Sequence, residues 1–280
     1  MDIKHTIDGI VQAAQEAIPK NDGDYVGDDG LLICGKCGTP KQTRVNIFGE
    51  TRTPMCLCKC EKELADRRAR EERRAALRIG YRQDCFSDMR MEKWNFAHDD
   101  GESERIMKIA QNYVNNFEKM RGDGKGLLFF GDVGSGKTFA AACIANAIID
   151  ECFSCKMTNF AEIRNTVQAT FDGRQKYFDS LMHYDLLIID DLCAEGKTEF
   201  MNEIVYNVID SRYRSGLPLI ITSNLTSEEL RNPADLTHKR IFSRLLEMCI
   251  PIEVKGKDRR KKILKDTFGE YSDLLGLAVT

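Results

Sequence analysis

Apolar positions recur along this chain with two periods, and their alternation sets out its architecture. Short runs at 126–130, 153–158, 185–191, 217–224 and 250–254 read as strands, most of them apolar enough to be buried on both faces. Between them the apolar residues fall at helical spacing, over 139–150, 159–170, 199–215 and 238–249. Such alternation implies a parallel sheet whose loops gather at the carboxyl ends of its strands. In the last helix Ile241, Leu245, Leu246 and Met248 define the buried side, which turns Arg240 and Arg244 outward. Residues 172–184, with Tyr177, Phe178, His183 and Tyr184, read as a polar connection.

Upstream of the first of these strands, residues 102–120 form an amphipathic helix through Ile106, Ile109, Ala110, Tyr113, Val114 and Phe117. Residues 80–100, with Phe86, Met89, Met91, Trp94 and Phe96, read as an extended lead-in segment lying against the core. Residues 59–78 hold eight basic and five acidic side chains with almost no apolar stripe, the pattern of a solvated connecting helix. Its net charge of +3 can also touch phosphates. At the start of the chain, Ile3, Ile7, Ile10, Val11, Ala14 and Ile18 share one face of a helix that Pro19 stops, and a polar, glycine-rich linker follows. That helix can dock on a partner or pack on its own domain.

Composition changes this picture only at its margins. With 280 residues, 42% hydrophobic and 30% charged, the chain can bury one substantial core and carry a smaller appendage. A net charge of −3 supplies no global field for nucleic acid, so any such surface must come from local clusters. There is no 18-residue apolar run, and MDIKHTIDGIVQ lacks the basic start and apolar centre of a signal peptide, so a cytoplasmic protein away from membranes is expected. In that compartment eleven cysteines argue for metal ligands and buried thiols rather than disulfides.

The chemistry begins where the first core strand ends. Gly131-Asp132-Val133-Gly134-Ser135-Gly136-Lys137-Thr138 fits G-x-x-x-x-G-K-[ST] and stands between a strand and a helix, the context that this phosphate-binding pattern requires. Its glycines let backbone N–H groups turn toward an anion, Lys137 would reach the β- and γ-phosphates of ATP, and the Thr138 hydroxyl would ligate Mg²⁺. Fifty-three residues after Lys137, the strand at 185–191 ends in two carboxylates: Asp190 can hold Mg²⁺ through water, and Asp191 can polarise the attacking water. Asn224, at the tip of the next strand, can orient that water, contact the γ-phosphate, or simply close a turn. Beyond the last strand, GKDRRKKILK carries six basic residues against one acidic.

Near the other end, Cys34 and Cys37 form a C-x-x-C pair. An eighteen-residue gap separates them from Cys56, Cys58 and Cys60. The spacing is that of two halves of a tetrahedral zinc site, joined by a hairpin containing Val45, Ile47 and Phe48 with turns at Gly38 and Gly49. So small a module gains little from apolar burial, so bound Zn²⁺ would supply much of its folding free energy. Four ligands suffice and one of the last three thiols is spare; we select Cys34, Cys37, Cys58 and Cys60, leaving Cys56 as the bystander.

Taken together, GDVGSGKT, LLIIDDL, ITSN, RIFSRL and GKDRR resemble the five nucleotide-site motifs of AAA+ ATPases over about residues 80–270. The cysteine module with its CGTPKQ turn, the charged helix, the lead-in segment with Trp94 and the short C-terminus resemble, more narrowly, replicative helicase loaders of the DnaC/DnaI type. The ATPase subunits of IstB-type transposases share much of the same core. The resemblance implies an α/β fold: an AAA+ P-loop core with a five-stranded parallel sheet over 80–280, preceded by a helix and linker at 1–30 and a zinc-binding module with its charged helix at 31–79. It implies an ATPase that self-assembles in its ATP state, binds single-stranded DNA and, through the N-terminal module, grips a hexameric replicative helicase during replication initiation. The alternative is a transposition ATPase acting on duplex DNA. By the same resemblance Asn224 is the first sensor, Arg244 the finger reaching a neighbouring subunit's γ-phosphate, and Arg260, with Arg259 as the alternative, the second sensor. Phe160 is a residue for base stacking. Many AAA+ enzymes carry Glu where this chain has Asp191, which implies slow hydrolysis.

Overall fold

A computed structural model of the protein describes residues 23–169, 173–192, 198–233, 235–272 and 274–276. The helix expected over residues 3–18 lies outside the described residues. The chain divides into two compact units, Met1–Ala76 and Leu77–Thr280, and the long helix α1 (Lys59–Cys85) contains the boundary.

In the first unit two small antiparallel ladders form. Strand β1 (Tyr25–Val26) pairs with β2 (Leu32–Ile33), and β3 (Val45–Ile47) pairs with β4 (Glu50–Arg52). Phe48, expected in a strand, instead stands in the two-residue turn at φ 52° beside Gly49 at φ 81°, the double left-handed geometry that matches strand twist in tight hairpins.

The second unit is a five-stranded, wholly parallel sheet. Strands β5 (Gly126–Gly131), β6 (Cys155–Asn159), β7 (Leu186–Leu192), β8 (Leu219–Ser223) and β9 (Cys249–Val254) lie in the order β6-β7-β8-β5-β9. Successive side chains feed opposite faces. Leu127, Phe129, Ile188 and Ile220 pack under α2 (Glu104–Asn115) and α4 (Lys137–Asp150), while Leu128, Phe130, Leu187, Ile189, Leu219 and Ile221 pack under α5 (Phe160–Ala169), α7 (Glu199–Ser215) and α9 (Leu236–Met248). Helix α4 is apolar nearly all round, and Ala140 to Ala145 are fully buried, which seats the helix after the phosphate loop deep in the molecule.

Departures from the sequence reading have local causes. The helix expected at 102–120 breaks where Asn116 leaves helical geometry (φ −115°, ψ 19°), so α2 is followed by a short α3 (Phe117–Gly122). The lead-in segment starts later than expected, because α1 runs on to Cys85; it then makes two 3₁₀ turns, Met91–Lys93 and Phe96–His98. The polar connection contains a helix, α6 (Arg174–Leu181), anchored by buried Phe178 and Leu181. Leu246 is 44% exposed, because Ile241, Phe242, Leu245 and Met248 already fill the buried side of α9. After the capped turn α8 (Ser227–Arg231), α9 and β9 comes α10 (Arg259–Ser272), so Arg259 and Arg260 open a helix.

One buried cation ties the foot of the sheet. Arg212, fully buried on α7, donates to the carbonyls of Tyr184 (2.9 Å), Asp185 (3.2 Å) and Pro218 (2.7 Å), the chain just before β7 and β8. Burial pulls its guanidinium down to about 10.

Phe160 is likewise fully buried. It opens α5 pointing into the core with Leu128 and Ile163, so it cannot stack on a base, and that expectation is corrected. Phe160→Ala should therefore act on stability, lowering the unfolding free energy by about 3–5 kcal/mol in denaturant titrations.

Candidate functional site

The phosphate-loop motif, both strand-end carboxylates and the Asn224 tip meet at one cavity of about 540 Å³, at the carboxyl ends of β5, β7 and β8. The loop contributes Val133, Gly134, Ser135, Gly136, Lys137 and Thr138. The sheet contributes Asp190, Asp191, Thr222 and Asn224, the lead-in segment Trp94, His98 and Asp100, and the start of α10 Arg259 and Arg260. Gly131 and Asp132 stand outside the lining and shape the loop from behind. Gly134 (φ 72°) and Gly136 (φ 95°) give it its left-handed turns, and Gly136 caps α4.

Lys137 is buried, and its ammonium donates to the carbonyls of Gly131 (3.0 Å) and Asp132 (2.6 Å), with no carboxylate in direct contact among the described residues. Burial pushes its pKa down, against the pull of Asp191, Asp132 and Asp190. Asp190 shows the opposite response: burial raises its pKa, offset by hydroxyl hydrogen bonds from Thr222 and from Thr138, the latter 2.9 Å long. A carboxylate and a hydroxyl at this spacing can hold a hydrated divalent cation such as Mg²⁺.

The β7–β8 register slips between Ile189 and Leu192, and inside that slip Asp191 takes φ 59°, a strained conformation for a side-chain-bearing residue. Its N–H is held by the Thr222 hydroxyl (2.9 Å) and its carboxylate accepts from the Asn224 amide (2.9 Å). Thr222 is thus a site residue that the sequence reading passed over. Its signal was its place in ITSN, two positions before Asn224.

The two remaining arginines separate. Arg260 lines the cavity, whereas Arg244 does not. Arg244 instead pairs with Asp210 at 2.8 Å and lies 4.8 Å above the Tyr206 ring, both on α7.

In the first unit the Sγ atoms of Cys34, Cys37, Cys58 and Cys60 lie within 4.8 Å of one another. Cys58 and Cys60 are 3.3 Å apart, Cys34 and Cys60 3.8 Å. In a zinc–thiolate tetrahedron with bonds of about 2.3 Å the sulfurs sit about 3.8 Å apart, so the cluster can accept such an ion with little movement. Cys56 faces the Pro40 carbonyl and stays outside the cluster. The Thr39 hydroxyl, then backbone hydrogen bonding near Cys60, pulls the Cys37 thiol down to about 5.

Behind the cluster lies fully buried Lys41, a second residue that the sequence reading missed. It pairs with Asp24 (2.8 Å) and Glu61 (2.9 Å). Asp24 also accepts the Gly35 N–H, and Glu61 the Cys58 N–H, so the ion triad touches both halves of the thiol set.

A family model described as IstB-like ATP binding protein matches residues 56–266. The replicative helicase loader DnaI of Bacillus subtilis (strain 168) is 26% identical over 151 residues, which span 50% of this chain and 49% of that protein, so the chain matches about half of that relative's length. The replicative helicase loader DnaC of Escherichia coli (strain K12) is 26% identical over 188 residues, 64% of this chain and 71% of that protein. Among solved structures, the crystal structure of the DnaC helicase loader superimposes with a TM-score of 0.53 at 23% identity, covering 60% of this chain and 100% of that one, a likeness of fold. No helix among the described residues is long and apolar enough to cross a membrane.

The thiol geometry generates a direct test by metal analysis of protein purified without chelators. We expect about one Zn²⁺ per chain, retained in Cys56→Ser and lost in Cys34→Ser or Cys60→Ser. A metal content near zero in the unsubstituted protein would remove the zinc reading.

Proposed function

The chain belongs to the family of IstB-like ATP-binding proteins, and from that premise we propose that it is an assembling AAA+ ATPase that loads a replicative ring helicase onto single-stranded DNA. The observation that carries the ATPase part is the convergence of Lys137, Thr138, Asp190, Asp191, Asn224 and Arg260 on one cavity. The loader part is supported by relatives that are themselves named replicative helicase loaders.

In this reading the Lys137 ammonium exchanges the carbonyls of Gly131 and Asp132 for phosphate oxygens when ATP binds. Thr138 and Asp190 would hold Mg²⁺, which would supply charge neutralisation on the phosphates. Asp191 orients the attacking water and Asn224 senses its position through the shared hydrogen bond. An aspartate whose short carboxylate is already engaged by Asn224 supports slow turnover and a long-lived ATP state. Arg260 meets phosphate in its own subunit. Arg244, outside its own cavity, serves a neighbour, which ties turnover to assembly. The thiolate module, with Zn²⁺ on Cys34, Cys37, Cys58 and Cys60, is the part that grips the helicase.

The deciding experiment adds the full chain, ATP and the host's ring helicase to a circular single strand and measures helicase transferred to it. Transfer that needs ATP supports the loader. A preference for duplex DNA with no helicase transfer would favour a transposition ATPase instead.

Substitutions separate the roles in the site. Lys137→Ala should lose ATP binding, whereas Asp190→Asn should keep nucleotide and lose turnover; native ATPase rates in Asp190→Asn would break the metal assignment.

Arg244→Ala should bind ATP normally and lose turnover, the stabilisation that such a finger gives being about 10³–10⁵ in rate. Mixed with Lys137→Ala it should regain ATPase, because one subunit keeps a working cavity and the other a working arginine. Activity that never exceeds the sum of the two would place the arginine's action in cis or nowhere.

A further inference from the structure

Two adjacent arginines, Arg259 and Arg260, reach the nucleotide cavity, and their surroundings differ sharply. The guanidinium of Arg260 has no hydrogen-bond or ion-pair partner among the described residues, so a full cation faces the cavity. Arg259 is engaged through both terminal nitrogens. Its Nη1 pairs with Asp100 at 3.0 Å, and its Nη2 donates to the Ser103 hydroxyl at 2.5 Å. Its backbone N–H donates to the Gly134 carbonyl (3.2 Å), and the flat face of its guanidinium lies so close to Gly136 that a Cβ there would stand 3.3 Å from the guanidinium carbon.

Other contacts join the same three stretches of chain. Ser103 Oγ donates to the Ser135 carbonyl (3.3 Å), the Gly256 N–H donates to the Asp132 carboxylate (3.1 Å), and a Cβ on Gly134 would fall 2.0 Å from Asp258 Oδ1. The turn 256–259 therefore straps the outside of the phosphate loop, and the glycines of that loop make room for the strap as well as for phosphate. Arg259 also grips the lead-in segment, whose Trp94, His98 and Asp100 line the cavity.

We propose that Arg259 is a positioning residue, a strut that locks the lead-in segment to the phosphate loop so that the two parts of the nucleotide cavity are held as one, and that Arg260 alone is the arginine that reads phosphate. The inference rests on the reading of this cavity as a nucleotide site. Charge decides between the two residues. A guanidinium already neutralised by Asp100 and hydrogen-bonded to Ser103 would have to break both contacts to meet a phosphate, while Arg260 breaks none.

A strut and a sensor leave different signatures. A strut supports the loop and the lead-in segment, which serve ATP and ADP alike, whereas a phosphate-reading arginine distinguishes them. The test is calorimetric titration of the full chain with ATP and with ADP, alongside the emission of Trp94, the only tryptophan in the sequence. Arg259→Gln and Asp100→Asn should each weaken both nucleotides by a similar factor, about three- to tenfold for loss of one net hydrogen-bonded contact. The double variant should be no weaker than the worse single one, because both substitutions break the same link. Trp94 emission at saturating nucleotide should differ from the unsubstituted protein in both single variants. Arg260→Gln should weaken ATP, spare ADP and leave the saturated Trp94 signal unchanged.

Asp100 is half-exposed, so its substitution carries the test even where Arg259→Gln compromises folding. The strut is overturned if Arg259→Gln weakens ATP but spares ADP, if Asp100→Asn leaves both affinities unchanged, or if the two losses add. Unsubstituted protein that binds neither nucleotide would overturn the cavity reading beneath it.

Discussion

The carboxylate of Asp190 is the joint on which the candidate site depends. It accepts hydroxyl hydrogen bonds from Thr138, in the first turn of the helix after the phosphate loop, and from Thr222, on the neighbouring strand. Three elements far apart in sequence are thereby pinned to one oxygen. The joint is under electrostatic tension, because burial raises the pKa of Asp190 above the ordinary carboxylate value. A carboxyl with a raised folded-state pKa holds its proton more tightly when folded. Its contribution to stability is therefore present at low pH and is lost as pH rises through the folded value. A divalent cation bound beside the carboxylate would offset that cost.

Much of this was legible in the chain itself, because the features concerned are local. A strand, a glycine loop and a helix in succession have no other economical packing, and an apolar run that stops at two carboxylates marks a strand end facing a cavity. What was not legible depended on direction or on distant partners. Phe160 sits where the period changes from two to 3.6, so the sequence pattern does not say which way its ring points; the fold turns it inward. Leu246 follows Leu245 by one residue, about 100° round the helix, and only one of them can face the sheet. The helix Arg174–Leu181 is too short to show a periodic stripe. Arg212 and Lys41 carry the signature of surface residues in any composition count, yet both are fully buried, because carbonyls in one case and carboxylates in the other complete their coordination.

The first unit holds itself together by two unlike means. Four thiols converge on one point, and beside them a lysine between two carboxylates bridges the same two chain segments. Buried ion pairs add little net stability against apolar replacements of similar volume, but breaking one partner is costly, so such a triad enforces a particular pairing. Here the pairing it enforces sets Gly35 against Asp24 and Cys58 against Glu61, which fixes the turns that aim the sulfurs.

Arg244 is held by Asp210 and the face of Tyr206, and Asp210 also receives Arg214 at 3.2 Å. Any anion that claims Arg244 from outside competes with a ligand the chain carries within itself. Weak or distant anions lose that contest, so release of Arg244 is a threshold rather than a gradient. The carboxylate of Asp210 is not left bare when the arginine departs, since Arg214 remains to answer it. Leaving is therefore less costly than breaking an isolated pair, and the arginine can return to the same seat.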